Sequence, residues 1–174
     1  MNNRIMILGL GLVWLCLAAC ASDISQKYAF SLVEPAVSES TAMQDETLRI
    51  IITPGVYEIG LLIDNLIWEP VMINWNDARY IDPDGKTQRL IHRGIKLQEK
   101  EAPQVSGKLP PRESWDELII PFGKIKQSME GWYIERLFDG YENRTPGFEF
   151  GIVLPVQTKA GKSEYHLKVK ATRK

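Results

Sequence analysis

Cysteine is nearly absent from this chain: two residues, Cys16 and Cys20, and none beyond. A body built from residues 21–174 therefore has no disulfide, no cysteine-ligated metal and no thiol nucleophile. Histidine is as scarce, with His92 and His166 far apart and on different expected strands. Neither sits in a His-x-His or His-Glu-x-x-His spacing, so no metal site is expected. An excess of one charge is missing too: 21 Lys and Arg stand against 22 Asp and Glu. That balance gives no field to attract nucleic acid, and no nucleic-acid partner is expected. There is no Gly-x-Ser-x-Gly elbow and no recognisable pairing of Ser, His and Asp. Gly9-Leu10-Gly11 lies in an apolar leader, not in a strand–helix turn that would cradle phosphate. No catalytic residue and no cofactor are assigned on these grounds. Long apolar runs are also lacking. The sustained one covers residues 5–17, short of the roughly 20 that cross a bilayer.

What is present begins with that leader. A polar, basic start (Asn2, Asn3, Arg4) precedes the apolar run, and two small residues precede a cysteine. This is the layout of a secretory signal peptide. Leu17-Ala18-Ala19-Cys20 matches residue by residue the box of a bacterial lipoprotein signal, and the segment resembles one. The resemblance implies cleavage before Cys20, lipid on its sulfur, and an acylated amino terminus. Several acyl chains hold a protein to a bilayer stably where one does not. Ala21, not Asp, follows the cysteine. In that family this implies the outer membrane, with the body facing the periplasm. The expected division is a signal peptide over 1–19, a lipidated tether over 20–27 and one domain over 28–174.

The rest has an ordinary globular balance, 44% apolar and 25% charged. Short β-type runs separated by turn signals dominate it. Strands are expected at 28–33, 47–53, 56–64, 71–75, 79–81, 87–91, 94–97 and 115–122. A closing hairpin is expected from 148–156 and 165–171, turned by Ala160-Gly161-Lys162. In the 56–64 run Tyr57, Ile59, Leu61 and Ile63 form the apolar, core-facing set. Asp82-Pro83-Asp84-Gly85 marks a hairpin turn. It opens like a calcium loop, but Arg93 stands where the twelfth-position Glu would be. Residues 98–113, with three prolines, are expected to form a long polar loop, and 129–138 one short helix. With no sustained helical period, the expected fold is all-β: an antiparallel sandwich of about 7–9 strands.

Ile73-Asn74-Trp75-Asn76, Arg79-Tyr80-Ile81-Asp82, Asp84-Gly85, Arg89-Leu90-Ile91-His92-Arg93-Gly94, Pro110-Pro111-Arg112-Glu113-Ser114 and Ile120-Pro121 together span about 50 residues. This run resembles a recurring pattern in bacterial envelope lipoproteins of uncharacterised role. The resemblance implies an immunoglobulin-like sandwich and brings no catalytic residues.

Two surfaces are candidates for contact. His92 and Arg93, beside Arg89, offer a basic cluster able to hold a carboxylate or phosphate. The plainer alternative is a charged, solvated sheet edge. Trp132 and Tyr133 lie in the irregular region 123–145, either exposed to a partner or capping an open end. Trp68, Trp75 and Trp115 are expected in the core. The carboxylate pairs Glu99/Glu101 and Asp116/Glu117 read as solvated charges. The function expected is a non-catalytic binding or assembly module, held to the membrane through Cys20 and recognising an envelope protein. The alternatives are an envelope-acting hydrolase using His92 with a nearby carboxylate, and a loop-type inhibitor of such a hydrolase. Nothing in the sequence sets an oligomeric state.

Overall fold

The computed structural model describes residues 23–174 apart from 142 and 145. Leu17, Ala18, Ala19, Cys20 and the expected signal peptide lie outside the described residues. Among the described residues no helix is long and apolar enough to cross a membrane.

The chain is all-β and antiparallel. A single helical turn, α1 (Asp23–Lys27), leads into β1 (Tyr28–Glu34), β2 (Ala42–Gln44), β3 (Leu48–Pro54), β4 (Ile59–Asn65), β5 (Val71–Ile73), β6 (Arg79–Ile81) and β7 (Thr87–His92). Then come β8 (Gly107–Leu109), β9 (Ser114–Pro121), β10 (Ile125–Ser128), β11 (Gly131–Ile134), β12 (Gly147–Thr158) and β13 (Gly161–Arg173). Eleven strands form one sheet in the order β1-β13-β12-β6-β7-β9-β4-β3-β2, with β5 branching from β12 and carrying β8. The sheet curls until its ends almost meet. Leu32 of β1 exchanges backbone hydrogen bonds with Ser38 at 3.1 and 3.0 Å, and the Ile52 N–H of β3 donates to the Thr41 carbonyl at 3.1 Å. The result is a nearly closed, barrel-like sheet.

Strand alternation builds the interior. In β3, Leu48, Ile50 and Ile52 are buried; in β4, Ile59, Leu61 and Ile63 are fully so. The β-branched side chains suit a pleated surface, and each buried one contributes roughly 1.5–3 kcal/mol of transfer free energy. Phe148, Phe150, Ile152, Leu154 and Val156 of β12 meet Leu167, Val169 and Ala171 of β13 on the same inner side. At the end where β1 starts, Phe138 packs on Phe148 (4.9 Å) and Phe150 (5.3 Å), and Tyr28 meets Phe148 edge-on (5.3 Å). Gly147 opens β12 at φ +156, where an added Cβ would strike the Ala171 carbonyl oxygen. Only glycine fits there.

Several expectations hold: the first strand, the 79–91 hairpin, the closing hairpin, and the inward set Ile59, Leu61, Ile63. Others need correction. Tyr57 is 49% exposed, because the Gly55 N–H bonds the Glu58 carbonyl in a turn and the ladder starts only at Ile59. Residues 94–97 are not a strand. Gly94, at φ +93, turns the chain away into a 3₁₀ turn at Leu97–Glu99. Residues 129–138 are not a helix. Gly131 adopts φ +130 and the β-prone Trp132, Tyr133 and Ile134 pair back on β10 as a two-stranded ribbon. Trp68 is 81% exposed, with the Arg112 guanidinium 4.6 Å from its ring, since its turn projects beyond the sheet. Trp75 is buried, though in a 3₁₀ turn rather than a strand. The last residues of the expected tether form α1, and Ile24 enters the core.

Candidate functional site

Residue parity along β9 has an unexpected consequence. Trp115, Glu117 and Ile119 share the inner face, opposite Ile63, Leu61 and Ile59 of β4. On the other side of β9, His92 of β7 faces Ile119. The pattern therefore aims a carboxylate and an imidazole at the interior of an apolar sheet. The His92 Nδ1 and Glu117 Oε2 atoms stand 3.8 Å apart, each side chain 18% exposed. Among the described residues three buried side-chain polar atoms have no hydrogen-bond partner: the Tyr80 hydroxyl, His92 Nδ1 and Glu117 Oε2. Two of the three face each other.

The surroundings explain the geometry. The His92 ring stacks on Trp75, with centroids 4.9 Å apart and planes 13° from parallel. Gly107 of β8 lies beneath the Trp115 ring; an added Cβ would come within 2.6 Å of it and 3.0 Å of Trp75 Nε1. β6 pairs with β7 only as far as Arg89. Past that point the buried Gln104 side chain takes the strand's place. The His92 N–H donates to Gln104 Oε1 at 3.1 Å, while Gln104 Nε2 donates to the carbonyls of Leu90 (2.6 Å) and Trp75 (3.2 Å). The amide thus satisfies backbone groups that a neighbouring strand would otherwise bond.

Burial sets the protonation of the pair. Desolvation pulls His92 below its ordinary 6.5, favouring neutral imidazole. Desolvation also pushes Glu117 above its ordinary 4.5, with the Arg93 charge opposing. Both shifts favour the neutral forms. With Nδ1 turned to the carboxylate, a small contraction would give a Glu–His hydrogen bond that fixes the tautomer and leaves Nε2 as the acceptor. Among the described residues no group of three His, Cys, Asp or Glu side chains comes together to hold a metal ion.

The sequence-derived candidates separate into two surfaces. His92 is not on a solvated edge, because β7 lies between β6 and β9. Its neighbour Arg93 donates to the Asp116 carbonyl at 3.2 Å. Trp132 and Tyr133 belong to the β10–β11 ribbon, a separate sheet. There Lys100 lies 4.2 Å from the Phe122 ring centroid and 5.5 Å from that of Trp132, and donates to the Ile125 carbonyl at 2.7 Å. Tyr133 stays 44% exposed. His166 lies on the outer face of β13 with Glu164 at 3.3 Å. Sequence reasoning set Glu117 aside as a solvated charge and missed Gln104. The signal for Glu117 was its parity with Trp115 and Ile119; nothing local marked Gln104.

Two outer-face depressions run along β12. One of about 680 Å³ is bounded by Met72, Asn74, Asp77, Gln157, Lys162 and Glu164. The other, about 420 Å³, is floored by Gly151 and Val153 and flanked by Glu34, Glu149, His166 and Lys168. Comparison with known proteins finds no matching family model, curated sequence or solved structure.

Proposed function

We propose that this chain is a lipid-anchored envelope lipoprotein whose body is a non-catalytic binding or assembly module. The observation that carries this reading is the Leu17-Ala18-Ala19-Cys20 box, set three residues ahead of α1 and a rigid all-β body. In this reading Cys20 carries the acyl chains and residues 1–19 are removed. The body then hangs from the outer membrane into the periplasm. Its fold is an immunoglobulin-like sandwich: β1, β13, β12, β5 and β8 form one layer, β7, β9, β4, β3 and β2 the other, and the short β6–β7 pairing joins them. Grooves and loops on a stiff scaffold are suited to recognition. The depressions along β12, with mixed charge and few aromatics, fit a protein segment better than a glycan.

Cys20→Ala should leave the precursor at its full mass and unprocessed by lipoprotein signal peptidase. A normally trimmed, soluble product would refute the anchor. Photocrosslinking from Trp132 and from Lys108 in intact cells, followed by identification of captured proteins, tests the binding role.

A second reading rests on the His92–Glu117 pair: an envelope-acting hydrolase in which Glu117 orients His92 as general base. His92→Ala separates the two. A hydrolase would lose turnover with its fold intact, whereas a binding module would keep its partner.

A further inference from the structure

Two connections run side by side at one end of the sheet: residues 66–70 join β4 to β5, and residues 110–113 join β8 to β9. The buried side chain of Asn65 fastens them together. Its Nδ2 group donates to the Glu69 carbonyl at 2.8 Å in the first turn, and to the Leu109 and Pro110 carbonyls at 3.3 and 2.9 Å at the start of the second. Its Oδ1 atom accepts from the Ile67 N–H at 3.0 Å, and its backbone N–H donates to the Glu113 carbonyl at 2.9 Å. The Glu69 carboxylate ties the first turn to the β12–β13 hairpin, accepting the Lys159 N–H at 3.3 Å. Among the described residues the buried polar side chains are Asn65 and Gln104. Gln104 completes a ladder, whereas Asn65 holds two surface turns in register.

The fastened turns present a tryptophan and an arginine. Trp68, at 81%, is the most exposed of the described Trp, Tyr and Phe side chains, and the Arg112 guanidinium lies 4.6 Å from its ring. Arg112 holds φ +60, and no other described non-glycine residue has a positive φ. An L side chain there crowds its own backbone, so the position favours glycine. A strained arginine and an exposed indole both cost the fold stability, and neither packs into its interior. Such a pair is placed for contact outside the chain. Its charge is also free. Arg49, Arg79, Arg89, Arg93 and Arg144 all hold carboxylates or carbonyls. Among the described residues the Arg112 guanidinium makes no hydrogen bond or ion pair, and Glu113, next in the chain, is exposed and not paired with it.

We propose that Trp68 and Arg112 form a docking platform for an acidic, extended segment of a partner protein. A carboxylate of that segment is taken by Arg112, and an adjacent apolar side chain is laid on the Trp68 indole. A guanidinium lying over a ring keeps its in-plane N–H donors free, so stacking and a two-bond grip on a carboxylate coexist. Trp and Arg are the side chains that most often carry binding energy at protein contacts, and turns already fixed in place lose little freedom on binding. The platform projects from the sheet and belongs to neither depression along β12. A glycan or small ligand prefers a concavity, so a protein segment fits it better. The proposal deepens the binding-module reading and rests on it; it does not depend on the lipid anchor.

The test pans the full-length chain against a phage library of random linear peptides and measures the affinity of the enriched ones as synthetic peptides. Enriched sequences should carry Asp or Glu beside an apolar residue. Trp68→Ala and Arg112→Gln should each weaken their binding about 30-fold, the loss of a hot-spot residue. Replacing the peptide's acid by its amide should weaken binding to the wild type equally and leave binding to Arg112→Gln unchanged, which assigns the carboxylate to that guanidinium. Arg112→Gly should lose the same affinity while its denaturation midpoint rises, because glycine accepts the left-handed backbone. Loss of binding is then not loss of fold. Enriched peptides without an acid, or peptides that keep their affinity for both variants, overturn the platform and leave the binding-module reading standing. If no peptide is enriched but oligouronate chains bind and are lost in Arg112→Gln, the ligand is an anionic glycan and the protein-segment proposal falls. If neither binds, the platform falls, and the photocrosslinks from Trp132 and Lys108 decide the binding-module reading separately.

Discussion

At the level of single residues, the pair facing inward from β7 and β9 makes the most specific demand. His92 is held below 6.5 by burial, so the unfolded chain takes up its proton first as pH falls. Folding stability attached to His92 is present above pH 6.5 and is lost as pH drops through and below that value. Glu117 is held above 4.5, so the unfolded chain releases its proton first as pH rises. Its contribution is present below pH 4.5 and is lost as pH rises through its elevated value. Between pH 4.5 and 6.5 the two groups act on stability with opposite slopes, so each is read by chemical denaturation from the variant that removes it. His92→Phe should remove the acid-side fall, and Glu117→Gln should remove the loss on raising pH from 4.5. A stability curve that runs parallel in wild type and both variants would count against the geometry. Glu117 was legible in principle, since it alternates with Trp115 and Ile119. A carboxylate beside Asp116 near a strand start nevertheless reads as a solvated charge, and only the inward curl of the sheet reverses that reading.

At the level of elements, the alternation of Ile59, Leu61 and Ile63 and the Asp-Gly turn were enough to find β4 and the β6–β7 hairpin, because period and turn chemistry are local. The stretch 98–113 was not legible. Its prolines and charges describe a loop, and most of it is one. Yet β8 within it pairs with β5, and Gln104 completes the ladder of β7 from the side. Both facts depend on residues far away in sequence. Gln104→Leu would leave the His92 N–H and the Leu90 carbonyl buried without partners, at about 1–3 kcal/mol for each orphaned group. Denaturant midpoints should fall by a matching amount with an unchanged slope. Gln104→Glu should also destabilise, because it keeps an acceptor for His92 and loses the donor to Leu90 and Trp75. The ribbon β10–β11 shows the opposite kind of failure. Polar spacing suggested a helix, while Gly131 at positive φ and three adjacent β-formers favour a hairpin.

At the level of the whole molecule, a strand-rich body was readable from composition and punctuation, and its near closure was not. Closure rests on a few backbone bonds between Leu32 and the segment 38–40, across a loop that announces only Pro, Ser and acidic residues. Ser38→Pro removes the N–H that donates to the Leu32 carbonyl at 3.0 Å. The expected outcome is modest destabilisation together with concentration-dependent self-association, measured by light scattering against the wild type. A variant that remains monodisperse at every concentration would mean the seam contributes nothing to closure.

Under the proposed lipid anchor the same seam gains a further role. Molecules confined to one surface meet their own kind far more often than molecules free in solution, and two unzipped sheet margins would join at nearly every encounter. By folding its first and second strands toward one another, the chain hides those margins. With that proposed anchor, crowding along a bilayer would leave neighbours as separate individuals, each with its flank open to something other than itself.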